Sequence, residues 1–325
     1  MMEVTQEEIQ KTVSSLFDIT KTEISLTKMK FRFRNIDFKE NFVKLTQILE
    51  SRNLVCILEK HGDVVFLVVS KFPPLKQRKW LSKTWTPRIL FAVTVAMVLT
   101  DGFFRTAGLN SFMPIGDPFG VAILYAWALI GILGVHEAGH LIAAKWHKIK
   151  TTWPYFIPGV PIFGIPTFGA YTSPVIDSEI AEQMFGTSQL IQMNENLIMM
   201  GMLELFDKNG EDVEIIMSPI MFAAWLGFLI TFLNLLPAWQ LDGGHMSRVI
   251  LGQKWHKIAT YASMGVLVLL NYWMMAILIL ILSSRSKDAQ PLDDISPLSK
   301  NRKIIYIGVI VLAILCAPLP NSIFP

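Results

Sequence analysis

The stretch VAILYAWALIGILGVHEAGH, residues 121–140, begins as an uncharged apolar run and ends in two histidines flanking a glutamate. On a helix His136 and His140 lie one turn apart on the same side. Both imidazoles can then reach one Zn2+ while Glu137 stands beside it as a base. The run has the length of about 20 residues that a lipid crossing needs. Two imidazoles and a carboxylate at that depth are expensive unless something there requires them. The bland alternative, histidines hydrogen-bonded to neighbouring helices, leaves that expense unexplained. A metal explains it.

The composition agrees with a lipid setting. Of 325 residues 52% are hydrophobic and only 17% charged, with a mean hydropathy of +0.44, the profile of a polytopic α-helical membrane protein. The net charge of +3 comes from clusters beside apolar runs, a pattern of membrane flanks that argues against a nucleic-acid partner. Cys56 and Cys316 form neither a C-x-x-C pair nor a disulfide framework and read as buried apolar residues. The start, MMEVTQEEIQKTVSSLF, has no basic segment before an apolar core, so no cleaved signal peptide is expected.

Residues 1–72 read as a small α+β domain. FKENFVKLTQILESRN puts Phe42, Leu45, Ile48 and Leu49 at helical spacing, and LVCILE and VVFLVVS flank the turn-like KHGD as strands. Residues 73–87 form a basic linker that overlaps KFPPLKQRKWLSK, a cluster that predicts a cytoplasmic N-terminal domain because basic flanks stay inside. Residues 88–325 carry apolar spans at about 88–105, 120–146, 216–236, 257–282 and 303–318, with Asn271 interrupting the fourth. TTWPYFIPGVPIFGIPTFGAYTSP is too rich in Pro and Gly for a long helix.

A catalytic zinc takes three protein ligands and leaves one position open. FLNLLPAWQLDGGH, residues 232–245, ends a featureless apolar stretch and offers Asp242 as the third ligand, with His245 as the alternative. Pro237 and the Gly-Gly pair are expected to unwind the helix end so that the carboxylate can approach. His147 and His256, in KWHKIK and KWHK, read as interfacial, His61 belongs to the soluble hairpin, and Asp101 falls at the end of the first span. Asn234 suits a substrate amide or oxyanion, or else a helix–helix hydrogen bond. Both ligand stretches close their spans, so the spans must run the same way. An odd number of crossings must then separate them, which requires residues within about 178–208 to traverse and makes about six segments.

These residues resemble the site-2 protease family of intramembrane zinc metalloproteases, in particular its prokaryotic and plastid branch with an N-terminal extension. The likeness rests on HEAGH, on FGA at 168–170, on SPIMFAAWLGFLITFLNLLPAWQLDGGH at 218–245, and on DDISPLS before a last span ending in PLP. It covers about residues 85–320. It implies His136, His140 and Asp242 as zinc ligands, Glu137 as catalytic base and Asn234 as a polar group near the substrate. One departure stands out: where members usually carry an Arg and a helix with a Gly-Pro pair, this chain has VIDSEIAEQMFGTSQLIQ.

The expectation is a multi-pass zinc metalloprotease that cleaves transmembrane segments of other proteins, with its opening on the cytoplasmic side. PIFGIPTFGAYT, with Phe168 and Gly169, supplies an edge strand for an extended substrate or a simple re-entrant loop. The partners are a transmembrane protein substrate and the bilayer; the oligomeric state is not legible. The competing reading is a zinc-binding membrane protein without proteolysis, or a regulatory pseudoprotease, neither of which needs Glu137.

Overall fold

The computed structural model describes residues 5–25, 28–34, 38–61, 64–71, 85–146, 173–180, 195–208, 213–285, 291–296 and 298–319. It is mostly helical, with a small antiparallel sheet near the N-terminus. That part begins with α1 (Gln6–Ser14), whose first turn is capped by the Thr5 hydroxyl accepting from Glu8 N. Strands β1 (Ile19–Ile24) and β2 (Lys28–Phe33) follow, then α2 (Lys39–Glu50), β3 (Leu54–His61) and β4 (Val64–Lys71), in sheet order β1-β2-β4-β3. KMKFRF alternates strictly, so Met29 and Phe31 enter the core while the basic side chains point away. Phe42, Leu45 and Leu49 of α2 are buried as their spacing predicts. Ile48 is not: it lies at the margin of that stripe and is 38% exposed. The sequence reading found β3 and β4 but not β1 and β2, whose alternating Lys, Thr and Glu resemble loop composition. Cys56 is buried in this core, and loss of water pushes its thiol up to about 12.

Two helices among the described residues are long and apolar enough to cross a membrane. They are α3 (Thr86–Asn110), over Arg88–Asn110, and α4 (Pro118–Trp146). They pack closely at Gly102, where a Cβ would stand 2.6 Å from Tyr125 Cδ1. Asp101 accepts from Tyr125 Oη at 2.9 Å and from Arg105 Nε at 2.7 Å, and the Arg105 guanidinium lies 3.8 Å over the Phe222 ring. Asp101 is therefore not a terminal residue as expected from sequence. The helix continues to Asn110 because FFRTAGLN contains no breaker strong enough to stop it.

Strands β5 (Val175–Asp177) and β6 (Val213–Ile215) pair antiparallel around α5 (Leu197–Leu205). At nine residues α5 is about 14 Å long, too short to cross lipid alone. Residues 181–194, most of the segment that departs from the family pattern, lie outside the described residues. Helix α6 (Pro219–Leu235) is capped by Ser218, whose hydroxyl accepts from Met221 N.

Helices α4 and α6 run the same way. Tyr125, Ala128 and Leu129 cluster with Ile220 and Ala223, and further on Ile132 sits where a Cβ on Gly227 would be 3.0 Å from it. At the far end His136 meets Asp242. Residue numbers rise together along the seam, so the intervening chain must return to the starting end of α4.

Beyond α6 come α7 (Asp242–Leu269), α8 (Trp273–Arg285) and α9 (Lys300–Leu315). The apolar run 257–282 is two pieces, divided where Asn271 adopts a left-handed φ of 68°. Gly252 breaks α7 with φ 74° and ψ 175°, a conformation glycine enters without a Cβ penalty. Across that kink Ser247 Oγ and His256 Nδ1 lie 2.7 Å apart, both buried. His256 is thus an interior residue rather than an interfacial one; the kink turns it inward, which a regular-helix reading of KWHK cannot show.

Candidate metal centre

Helix α4 carries the two imidazoles. Their Nε2 atoms are 3.0 Å apart, and each is 3.4 Å from Asp242 Oδ2. Zinc–nitrogen and zinc–oxygen bonds of about 2.0–2.2 Å at tetrahedral angles put neighbouring ligand atoms about 3.3–3.6 Å apart. The three observed edges approach that spacing, and the three donors form a group able to hold a metal ion. Two imidazole nitrogens and a carboxylate oxygen are donors that zinc accepts, and the residues present fit it. For both Nε2 atoms to offer lone pairs, each ring must carry its proton on Nδ1. The His136 side chain is 12% exposed and that of His140 52%, so the group opens on the His140 side.

Asp242 reaches the pair by a route the sequence reading anticipated only in part, since the helix ends just ahead of Pro237 as expected but Gly243 and Gly244 are helical. The helix is not unwound around it. Helix α6 stops at Leu235, the chain turns through Leu236–Leu241, and Asp242 is the first residue of α7. Ala238 N donates to Leu236 O at 2.7 Å, and Leu241 N to Ala238 O at 3.1 Å. Trp239, at φ 45°, donates from its N–H to Thr260 Oγ1 at 3.1 Å, tying the turn to the second half of α7. The glycines are helical and serve close approach. A Cβ on Gly243 would lie 2.0 Å from Leu235 O, and one on Gly244 2.3 Å from Ala238 O. The reason is packing: the first turn of α7 lies directly against the backbone it has just left.

Glu137 is half-buried beside the pair, one residue from His136 and three from His140, so it neighbours the latter on the helix surface. His245, the alternative ligand, is exposed and is not in the three-donor group. Asn234 is half-buried in the last turn of α6 and is likewise outside that group. Phe168 and Gly169, like His147, lie outside the described residues.

The sequence reading missed a buried arginine. Arg248 of α7 donates from Nη1 and Nη2 to Asp294 Oδ1 and Oδ2 at 3.0 and 2.8 Å. Its signal was a lone Arg six residues after Asp242, with DDIS as an acidic counterpart.

Residues 171–280, about a third of the chain, match the model of Peptidase family M50. Three curated relatives illustrate the likeness. "Probable zinc metalloprotease EGY2, chloroplastic" of Oryza sativa subsp. indica is 27% identical over 242 residues, 60% of this chain and 42% of the relative. The protein of the same name in Arabidopsis thaliana is 27% identical over 232 residues, 58% and 40%. "Probable zinc metalloprotease EGY1, chloroplastic" of Arabidopsis thaliana is 24% identical over 242 residues, 61% and 43%. The aligned part of the chain spans about two fifths of the length of these relatives. No solved structure matches the chain. Zn2+, the ion in the relatives' names, is the one the two imidazoles and the carboxylate suit. The family match contains Asp242 but not HEAGH, so it reaches by a separate stretch the likeness that HEAGH suggested, and over residues 171–280 the chain is similar to the zinc metalloproteases of Peptidase family M50.

Proposed function

We propose that this chain is an intramembrane zinc metalloprotease that hydrolyses peptide bonds within or near transmembrane segments of other membrane proteins. The observation that carries the reading is the meeting of three separated donors, His136, His140 and Asp242, with the carboxylate of Glu137 between the two imidazoles in the chain. All three ligands are needed, because two alone leave the ion weakly held. A pure zinc binder or a regulatory pseudoprotease has no use for the glutamate.

The membrane setting is supported by the outer faces of the helices. Met97, Phe104, Trp127, Leu269 and Ile304 are all more than 65% exposed on apolar helices, a surface that suits hydrocarbon rather than water. The protein then crosses about six times, with the N-terminal domain and the opening of the site on the cytoplasmic side. His136 lies ten residues before the end of α4, about 15 Å below that edge. Water reaches it on the half-exposed His140 side.

Bound zinc would lower the pKa of a water toward neutrality and polarise the scissile carbonyl. Glu137 takes the proton of the attacking water and delivers it to the leaving amine. His136 and His140 keep their Nδ1 protons, and Asp242 balances charge. A helical substrate hides its carbonyls in internal hydrogen bonds, so it must be drawn out first. Phe168 and Gly169 are assigned to contact with the extended substrate, and Asn234 to holding a substrate amide near the reacting bond.

The test is cleavage of a model transmembrane substrate by the full chain in detergent or vesicles, comparing wild type with Glu137→Gln and measuring zinc in both. Retained zinc with cleavage reduced at least about a hundredfold is expected, as for loss of a general base. Equal cleavage by the two proteins defeats the reading.

A further inference from the structure

The segment Pro291–Ser296, between α8 and α9, touches both parts of the molecule. On one side it extends the sheet. Strand β3 is the edge of the order β1-β2-β4-β3, and Leu58 N donates to Leu292 O at 3.0 Å, with Asp293 paired parallel to Leu58. Ile295 packs onto the N-terminal core. Asp293 Oδ1 accepts from Ile295 N at 3.1 Å and Ser296 N at 2.9 Å, which closes a tight turn and aims the next carboxylate the other way. On that other side Asp294 takes both terminal nitrogens of Arg248.

The Arg248 side chain is only 3% exposed, and its Nε has no hydrogen-bond partner among the described residues. A guanidinium so enclosed depends on the Asp294 carboxylate, its one ion partner among the described residues, because losing it exposes a buried charge to the cost of desolvation. Arg248 lies six residues after Asp242, about 9 Å along the axis, and the helix between them is unbroken, since the non-helical Gly252 comes later. Whatever moves Arg248 therefore moves Asp242. The kink lets the rest of α7 stay behind.

We infer that Asp294 is a positioning residue for the metal centre, and that the N-terminal domain, through the edge of β3, fixes where Asp294 stands. The inference rests on the reading of His136, His140 and Asp242 as zinc ligands. The domain then acts on the site as a brace: what binds or loosens its sheet edge changes how tightly Asp242 is held against the imidazole pair.

The test uses the full chain with Asp294→Asn and Ile295→Asn. Apparent zinc affinity is read by competition with a fluorescent chelator, and amide exchange is followed at Leu58 and across 243–251. In wild type the Leu58 amide, although on a sheet edge, should be protected. Both variants should weaken zinc retention about tenfold or more, the range seen for residues that support metal ligands, and speed exchange across 243–251. Ile295→Asn is decisive because Ile295 packs on the N-terminal core and is neither the carboxylate that pairs with Arg248 nor one of the three donors, so a merely local role predicts unchanged zinc affinity. An unprotected Leu58 amide in wild type overturns the inference even if Asp294→Asn does not fold. So does Ile295→Asn that frees Leu58 yet keeps wild-type affinity. If the variants lose zinc while wild type cleaves nothing, the brace stands and the protease reading falls. If Glu137-dependent cleavage and zinc affinity persist undiminished in both variants, the brace falls and the protease reading stands.

Discussion

Replacing Gly243 by alanine adds one methyl group and should disable the metal centre. The added Cβ would lie 2.0 Å from Leu235 O, 2.4 Å from Leu235 C and 2.7 Å from Leu236 O, all backbone atoms that no rotamer change can move aside. Reaching even a 3.0 Å contact requires the first turn of α7 to retreat from the end of α6 by about 1 Å, the difference between that floor and the present distance. Asp242 precedes Gly243 directly and retreats with it. Metal–ligand bonds tolerate errors of about 0.2 Å, and a misplacement of about 1 Å in a catalytic group lowers rates about a hundredfold. Zinc affinity should therefore fall by at least about tenfold, and cleavage by about a hundredfold. Chelator competition and a model transmembrane substrate measure the two. Gly265→Ala in the same helix is the control, because nothing lies within 4 Å of its Cβ position. Alanine there should be neutral or stabilise by up to about 1 kcal/mol. Wild-type zinc affinity and cleavage in Gly243→Ala would refute the close-approach argument and with it the account of how Asp242 is presented.

Two further outcomes follow from packing. Gly227→Ala should lower the unfolding midpoint instead of raising it, since the new Cβ meets Ile132 Cδ1 and Cγ2 at 3.0 Å. Adding Ile132→Ala should recover part of the loss, a coupling that a double-mutant cycle in denaturant measures. Ser247→Ala should cost about 0.5–1.5 kcal/mol in the same assay, because it removes the buried hydrogen bond between Ser247 and His256 across the Gly252 kink. An unchanged midpoint would show that the staple contributes nothing.

The long apolar helices were legible because lipid-length runs leave little freedom of interpretation, and α4 offered two candidate donors by their one-turn spacing. Asp242 was legible as a residue but not as a place. Pro237 and the glycines carry the same letters whether they unwind a helix end or allow a turn to lie against a new helix, and only the Leu235 and Ala238 carbonyls decide between them. β1 and β2 were missed because an exposed sheet face is written in Lys, Thr and Glu, as loops are. The Arg248–Asp294 pair joins residues 46 positions apart, and nothing local marks either as buried. His256 read as peripheral because its neighbours are basic. The kink at Gly252 that turns it inward follows from one φ angle rather than from composition.

The parallel run of α4 and α6 also governs when the site comes into being. His140 and Asp242 are separated by about a hundred residues of chain, and that chain must fold back before the third donor can arrive. Bringing such distant points together carries a loop-closure penalty of several kcal/mol at most, which the packed seam between the helices offsets. A nascent chain that exposes HEAGH alone presents the two imidazoles and Glu137 without the Asp242 carboxylate. Such a half-made molecule lacks the third donor, so the full donor set forms only after α6 has packed along α4.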